Sequence, residues 1–327
     1  MRATLAAPAQ SGRLAAPWRR LVEVRELTLL VLVALLIAGM SLASPFFLSM
    51  ANFRAVAIGM APTAIIAIGM TVLLVSGGFD LSVGSTLALC GTVAALLMAK
   101  GAAIPLAVAG ALSLGALIGL ANGLLVTRLG VNPLVATLGT MSAARGAALV
   151  MTEGFSIGGL PPAFGWAGSA SWLGLPLTFW VMLLLVVVAD LALRHSLFLR
   201  QVYYIGGNEK AARLSGIPVD RVRVVAFVLT GLLAAFAGVL LASRLMSGTP
   251  TAANGLELQV LAACVIGGAS LRGGEGTVLG AFLGVVFVAL VNDAMTMLRV
   301  SIYWQMIVTG AVLVAAVVLD RLARRPR

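Results

Sequence analysis

The feature that most restricts what this chain can fold into is a succession of long apolar runs with almost no charge inside them. Ten such runs lie at roughly 27–47, 53–75, 81–99, 103–127, 131–151, 177–193, 224–243, 258–271, 276–297 and 302–319. About 20 consecutive apolar residues are what a helix needs to cross the hydrocarbon core of a bilayer. The composition agrees. The chain is 61% hydrophobic and only 10% charged, whereas ordinary soluble domains carry about 25% charged residues. The expected fold class is therefore all-α, a polytopic transmembrane helix bundle of about ten spans in contact with lipid. Glycine occurs 37 times, which suits close helix–helix approach in a membrane. The eighth run is short and flows into VIGGASLRGG (265–274), so a broken or re-entrant helix is expected there.

Basic residues orient the bundle. Five lie within 1–26, Arg128 follows the fourth run, six lie between 194 and 223, then come Arg272 and four at the C-terminus. The alternate loops hold only Arg54, Lys100, Arg244 and Arg299. Because cytoplasmic loops carry the excess of Lys and Arg, both termini are expected inside. Residues 1–26 then form a cytoplasmic tail rather than a cleavable signal. Residues 27–320 form the transmembrane domain, with a cytoplasmic loop at 194–223, and 321–327 form a basic tail. The net charge of +11 is read as this topology, and no nucleic-acid partner is expected. The largest outer segments are 152–176 and 244–257. The first carries Pro161, Pro162, Trp166 and Trp172. Its tryptophans suit either the membrane interface or a docking surface for an external partner.

The loop 194–223 contains a well-marked short helix at 208–216. Asn208 is a good N-cap, Glu209 complements the helix dipole in the first turn, Gly216 suits the left-handed C′ position, and Pro218 stops continuation. Such a helix is marginal alone in water, so it needs a surface to pack on.

Catalytic and cofactor chemistry is not visible. No G-x-x-x-x-G-K-[ST] occurs, so ATP is not bound by a P-loop. GGEGTVLG (273–280) is read as tight helix packing. One histidine (His195) and two isolated cysteines (Cys90, Cys264) cannot make a metal centre; no cofactor and no enzymatic activity are expected. Asp80 follows two glycines at the start of the third run, and capping that helix is its first reading. A place in a transport path is the second. Arg145, Glu257 and Asp293 are the other charges within or near spans. Glu257 and Asp293 lie near outer ends, which argues against a proton relay. The chain then has no energy source of its own.

A weak internal echo is also present. VSGGFDLSVGSTLAL (75–89) and VIGGASLRGGEGTVL (265–279) share six residues at a spacing of 190, and LAN (120–122) matches LVN (290–292) at 170. Transporters are often built from such repeats.

Taken together, GGFDLSVGS (77–85), NPLVATLGTMSAARG (132–146), GGNEKAARLSGI (206–217) and PTAANGLELQVLAACVIGGASLRGGEGTVLG (250–280) resemble the permease subunits of bacterial ATP-binding-cassette sugar importers of the ribose, xylose and galactose type. The larger superfamily includes branched-chain amino-acid permeases. The resemblance implies an inner-membrane subunit that pairs with a second permease copy. It also implies a cytoplasmic ATPase and a periplasmic sugar-binding protein as partners. It assigns Gly206, Gly207, Asn208, Glu209, Lys210, Arg213, Leu214 and Gly216 to the segment that fits a cleft on the ATPase. Glu153 stands where relatives usually have Gly, and Gln259 where an acidic residue is common. A sugar path needs hydroxyls and amides rather than fixed charge. Asp80, Asn122, Thr137, Thr140, Ser142, Asn292 and Gln305 are the candidates, with interhelical hydrogen bonding as their alternative role. Two other readings stay open at this point. One is a permease of the same architecture for an amino acid, a nucleoside or a signalling furanose; the other is a stand-alone secondary carrier.

Overall fold

A computed structural model describes residues 16–323. In chain order the elements are α1 (Ala16–Ala43), α2 (Met50–Val75), α3 (Val83–Ala99), α4 (Ile104–Thr127), α5 (Pro133–Thr152), a 3-10 turn (Pro162–Gly165), α6 (Trp166–Ser169), β1 (Ser171–Trp172), β2 (Leu175–Pro176), α7 (Leu177–His195), α8 (Leu197–Gly207), α9 (Glu209–Leu214), α10 (Val219–Leu245), α11 (Leu256–Ile266), α12 (Val278–Met297) and α13 (Ile302–Ala323). The two tiny strands pair antiparallel within the 152–176 segment.

The helices α2 and α10 form the centre. Ile65, Ile66, Met70, Leu73 and Leu74 of α2 and Phe227, Ala234, Ala235 and Ala237 of α10 are fully buried. A helix apolar on every side belongs in the interior of a bundle. Around α10 the packing is set by glycines. A Cβ on Gly231 would enter the Gly115 carbonyl of α4, one on Gly119 would enter the Phe227 carbonyl, and one on Gly238 would enter the Leu87 carbonyl of α3. A Cβ on Gly69 of α2 would lie 2.7 Å from the Thr230 Cα. Backbones can therefore meet directly, the packing mode available where lipid removes the hydrophobic drive between helices. The outer helices show apolar residues to the surroundings, among them Leu35, Leu42, Leu117, Val150 and Leu184.

Among the described residues, seven helices are long and apolar enough to cross a membrane: Glu26–Ala43 within α1, then α2, α4, α5, α7, α10 and α12. The all-α polytopic class stands. The eighth run is indeed short. At about 1.5 Å per residue, the 11 residues of α11 reach only about half of a bilayer core. It ends at Ile266, and α12 begins only at Val278. Several boundaries differ from the sequence reading for local reasons. α1 starts inside the segment read as a tail and stops at Ala43, ahead of Pro45, because a residue before proline is pushed out of the helical region. α10 starts at Val219, directly after Pro218. The α8 helix is a structural addition to the single short helix that the sequence marks at 208–216. Residues 1–15 and 324–327 lie outside the described residues, including most of the expected basic tail.

Candidate functional site

Two polar constructions stand out, one at each end of the bundle. At one end, α8 and α9 dock against two glycine-rich turns. The first follows α2, where Gly78 N–H donates to Leu73 O and Gly77 N–H to Leu74 O. The second follows α11, where Ala269 N–H donates to Cys264 O and Gly268 N–H to Val265 O. Both are Schellman turns, with Gly77 (φ +83) and Gly268 (φ +97) in the left-handed position. The matching turns are therefore 191 residues apart, one more than the sequence echo suggested. The turns touch each other, since Gly274 N–H donates to Val75 O at 2.8 Å. Gly206 of α8 sits on this junction, where a Cβ would enter the Val75 carbonyl and the Gly274 amide. Tyr203 Oη donates to Gly276 O at 2.8 Å. Burial and the Asp190 charge push the Tyr203 hydroxyl up to about 12 despite nearby Arg194 and Arg200.

α9 is built as its sequence dictates. Asn208 Oδ1 accepts the Ala211 N–H at 3.0 Å. Gly216 (φ +80) closes the helix, with Ile217 N–H donating to Ala212 O. Charges then tie it down. Arg213 donates to Glu209 Oε1 at 3.0 Å and to Asp220 Oδ1 at 2.6 Å. Arg223 pairs with Glu209 Oε2 at 2.7 Å and also donates to Ser76 O at 3.2 Å. Partial burial of Glu209 works against its charge, but the Arg223 charge and hydrogen bonds from Arg213 and Arg223 hold its carboxyl below the usual range. Its contribution is thus complete above the ordinary glutamate range and is lost as pH falls through the lowered value. Arg213 is shifted up, first by its hydrogen bond to Asp220 and then by Glu209. Leu214 is 90% exposed, and Gly207 faces open space. Arg128, Arg213 and Arg221 line a shallow groove of about 350 Å³ beside α9. At the start of α12, Thr277 Oγ1 accepts the Gly280 N–H and donates to Glu26 Oε1, while Asp190 accepts the Leu279 N–H and pairs with Arg194. Arg128, Arg194, Arg213, Arg223 and Arg272 thus share one end of the bundle.

The path candidates separate into groups. Asp80, Asn122 and Thr140 meet in one network. Asp80 Oδ1 accepts the Ser82 N–H at 2.7 Å and the Ser82 hydroxyl at 2.6 Å. Asn122 Nδ2 donates to Asp80 Oδ2 at 3.2 Å and to Ser82 Oγ at 3.0 Å, and Thr140 Oγ1 donates to Asn122 Oδ1 at 2.6 Å. The network joins the start of α3 to α4 and α5, and Asp80 and Asn122 are both buried. Asp80 braces the turn two residues ahead of the N-cap, and Ser82 holds the N-cap position itself. Thr137 turns its hydroxyl to Pro133 O, and Ser142 is exposed on α5. Asn292 lies elsewhere, in a cleft of about 250 Å³ between α2, α11 and α12. Gln305 donates to Thr296 Oγ1 at the rim of that cleft.

At the end opposite α9, Arg145 donates to the carbonyls of Pro250 and Ala252, pinning the 246–255 loop to α5. Arg54 donates to Gly174 O. Trp180 Nε1 donates to Trp172 O, and the two rings meet edge to face at 5.0 Å. Glu153 ends α5 at φ +52, a conformation in which glycine alone is unstrained. Glu153→Gly is expected to raise stability by about 1 kcal/mol, read as a higher melting temperature of the detergent-solubilised protein. Cys90 and Cys264 are free and buried. Among the described residues no cluster could hold a metal ion.

These observations define an all-α polytopic membrane protein with a polar, charge-tied two-helix element docked at one end. A family model described as branched-chain amino acid transport system / permease component matches residues 52–317, and the chain belongs to that family. It is 40% identical over 295 residues to the ribose import permease protein of Escherichia coli strain K12, covering 89% of this chain and 92% of that one. It is 41% identical over 289 residues to the ribose import permease protein of Bacillus subtilis strain 168, covering 88% and 90%. With the L-arabinose transport system permease protein of Escherichia coli strain K12 it shares 38% over 299 residues, covering 91% of each. No solved structure matches it.

Proposed function

We propose that this chain is the membrane-spanning subunit of an ATP-driven importer, carrying a ribose-like pentose or related monosaccharide across the bacterial inner membrane. The observation that carries the mechanism is the docked α8–α9 element. It presents an exposed Leu214 and an open Gly207 outward, while Gly206 and Arg223 bind it to the ends of α2 and α11. An element built in this way passes a push from a partner into the central helices. The partner is a cytoplasmic ATPase, which supplies the energy that this chain lacks. ATP binding moves α9, and the glycine turns carry the movement into α2 and α12 as a rocking of packed helices. A periplasmic binding protein delivers the sugar to the opposite end, and a second permease copy completes the pore. The clustering of arginines at the α9 end supports placing that end in the cytoplasm. Ten passes with both termini inside fit this placement, and the paired Schellman turns support an internal repeat. The names of the ribose and arabinose relatives favour a sugar over an amino acid.

The test is uptake of labelled ribose and arabinose by cells expressing the chain with its ATPase and binding protein. Uptake is expected to stop on ATP depletion and to persist with an uncoupler; the reverse pattern overturns the ATP-driven reading. Uptake of an amino acid with no sugar uptake overturns the substrate. Glu209→Lys sets like charge against Arg213 and Arg223. Gly207→Trp fills space that the chain itself leaves open. Both are expected to insert normally yet lose most uptake, a coupling effect of about 5–150-fold. Normal transport by both variants would remove α9 from the coupling role.

A further inference from the structure

The cleft between α2, α11 and α12 has a composition that neither lipid contact nor helix packing explains. Gly59, Thr63, Gln259, Asn292, Asp293 and Thr296 line it. It sits in the half of the bundle away from α9. α2 ends at the glycine turn near α9, and Gly59 is only nine residues from its other end, about 14 Å along the axis. Asn292, Asp293 and Thr296 are likewise in the last turns of α12, and Gln259 is in the first turn of α11. A carboxylate and two amides turned toward acyl chains would be costly. Among the described residues, the side-chain amides of Gln259 and Asn292 make no hydrogen bond, although both lie at the cleft wall. Asp293 is held by Asn52, whose Nδ2 donates to Oδ2 at 2.8 Å and to Phe47 O at 3.0 Å. One carboxylate oxygen is thus committed and the other is left for the cleft. The remaining walls are apolar, with Val285 and Val288 on α12.

Free amide donors and acceptors, one oriented carboxylate and an apolar wall match a monosaccharide. Its vicinal hydroxyls both donate and accept, and its ring carries a C–H face. We propose that this cleft is the mouth through which the sugar enters the permease, with Gln259, Asn292 and Asp293 taking over its hydroxyls from bulk water or from the delivering protein. The proposal rests on the sugar-importer reading above. Weak, shared hydrogen bonding is what passage requires, since a tight site would retain its cargo. The buried Asp80–Asn122–Thr140 network is then a brace between helices rather than a lining.

Gly59 supplies the test, because a Cβ there meets nothing within 4 Å. Gly59→Cys adds one thiol at the cleft wall, while Cys90 and Cys264 are buried and silent. The protein is kept with its ATPase and binding protein, and a membrane-impermeant methanethiosulfonate is applied from the side opposite α9. Modification is expected to lower ribose uptake by about tenfold or more, and saturating ribose with the binding protein is expected to slow it. Gly39→Cys, on the outer face of α1 and also free of neighbours within 4 Å, is expected to keep its uptake under the same treatment. Asn292→Leu should lower uptake with unchanged ATP hydrolysis and protein level. A Gly59→Cys thiol that stays unmodified, as it would beneath lipid or a second copy, overturns the proposal. So does a thiol whose complete modification, seen by mass, leaves uptake unchanged. Absence of any monosaccharide uptake by the unaltered protein overturns the importer reading itself, and this site with it. Normal uptake by that protein separates the two failures.

Discussion

Replacing Arg223 with alanine is expected to leave a folded, membrane-inserted protein that transports sugar at least about tenfold more slowly, within the range of a coupling free energy of about 1–3 kcal/mol. The reason lies in the two contacts that this one side chain makes. Its guanidinium pairs with Glu209 Oε2 of α9 at 2.7 Å and donates to the Ser76 carbonyl at the end of α2. It is therefore a direct polar link between the element proposed to receive the push and the central helix proposed to move. Partly exposed ion pairs add only about 0–1 kcal/mol to stability, so the fold should tolerate the loss. Transmission should not, because α9 would then lose its polar link to Ser76 at the end of α2.

Arg213 gives the internal comparison. It is 47% exposed and joins α9 to Asp220, in the first turn of α10, without reaching Ser76 or the glycine turns. Arg213→Ala should reduce uptake by a few-fold at most. The decisive measurement compares ATP hydrolysis and sugar uptake in the same reconstituted vesicles. Arg223→Ala should retain hydrolysis and lose its conversion into uptake. Equal losses in the Arg213 and Arg223 variants would show that the Ser76 link carries nothing. Arg223→Lys, which keeps a charge but not the two-sided fork, should recover only part of the activity.

Some of this arrangement is legible in the sequence and some is not. Asn208, Gly216 and Pro218 mark α9 because caps act within a few residues, so local chemistry fixes them. α8 is hidden in the sequence because RQVYY (200–204) looks polar, although Ser196 caps it and Val202 and Ile205 turn to the same buried face. The spacing of those two residues, with Gly206 beside them, was the signal that could have revealed it. The glycines at 77 and 268 announce turns, but the junction at the foot of α8, where Gly273 meets Gly77 and Gly206 and Gly274 N–H donates to Val75 O, depends on two segments far apart in sequence. In the sequence, residue type alone marks the path candidates. Type cannot distinguish Asn122, whose amide is consumed by Asp80, Ser82 and Thr140, from Asn292, which is turned to a cleft. Only the positions of the neighbouring helices separate a brace from a lining. In the sequence Gln259 is a departure from the family pattern and Asp293 a charge near a span end. Neither signalled that α2 would stand opposite them.

The second large effect is expected at Gly231, where leucine should cost about 3 kcal/mol or more and leave little protein that survives extraction as a single species. A Cβ on this residue of α10 would enter the Gly115 carbonyl, and it would stand only 3.0 Å from Gly119 N of α4. Those atoms are backbone, so no rotamer change can relieve the clash; the two helices must part. α10 cannot withdraw, because Gly238 on the same helix is set against the Leu87 carbonyl of α3, and Thr230 against Gly69 of α2. Parting from α4 would therefore disturb the packing on every other side of the central helix. Packing is also what holds these helices together in lipid, where apolar burial between them gains little. Helix propensity works in the opposite direction, since glycine is about 1 kcal/mol less favourable than alanine in a helix interior. Gly139 and Gly146 of α5 isolate that term, because a Cβ at either meets nothing within 4 Å. Gly139→Ala and Gly146→Ala should be neutral or stabilising, Gly231→Ala already destabilising, and Gly231→Leu severely so. Thermal unfolding in detergent, followed by the loss of the monodisperse peak, measures the series. A Gly231→Leu protein as stable as the parent would mean that α4 and α10 do not meet backbone to backbone, and the glycine-set packing around α10 would have to be abandoned.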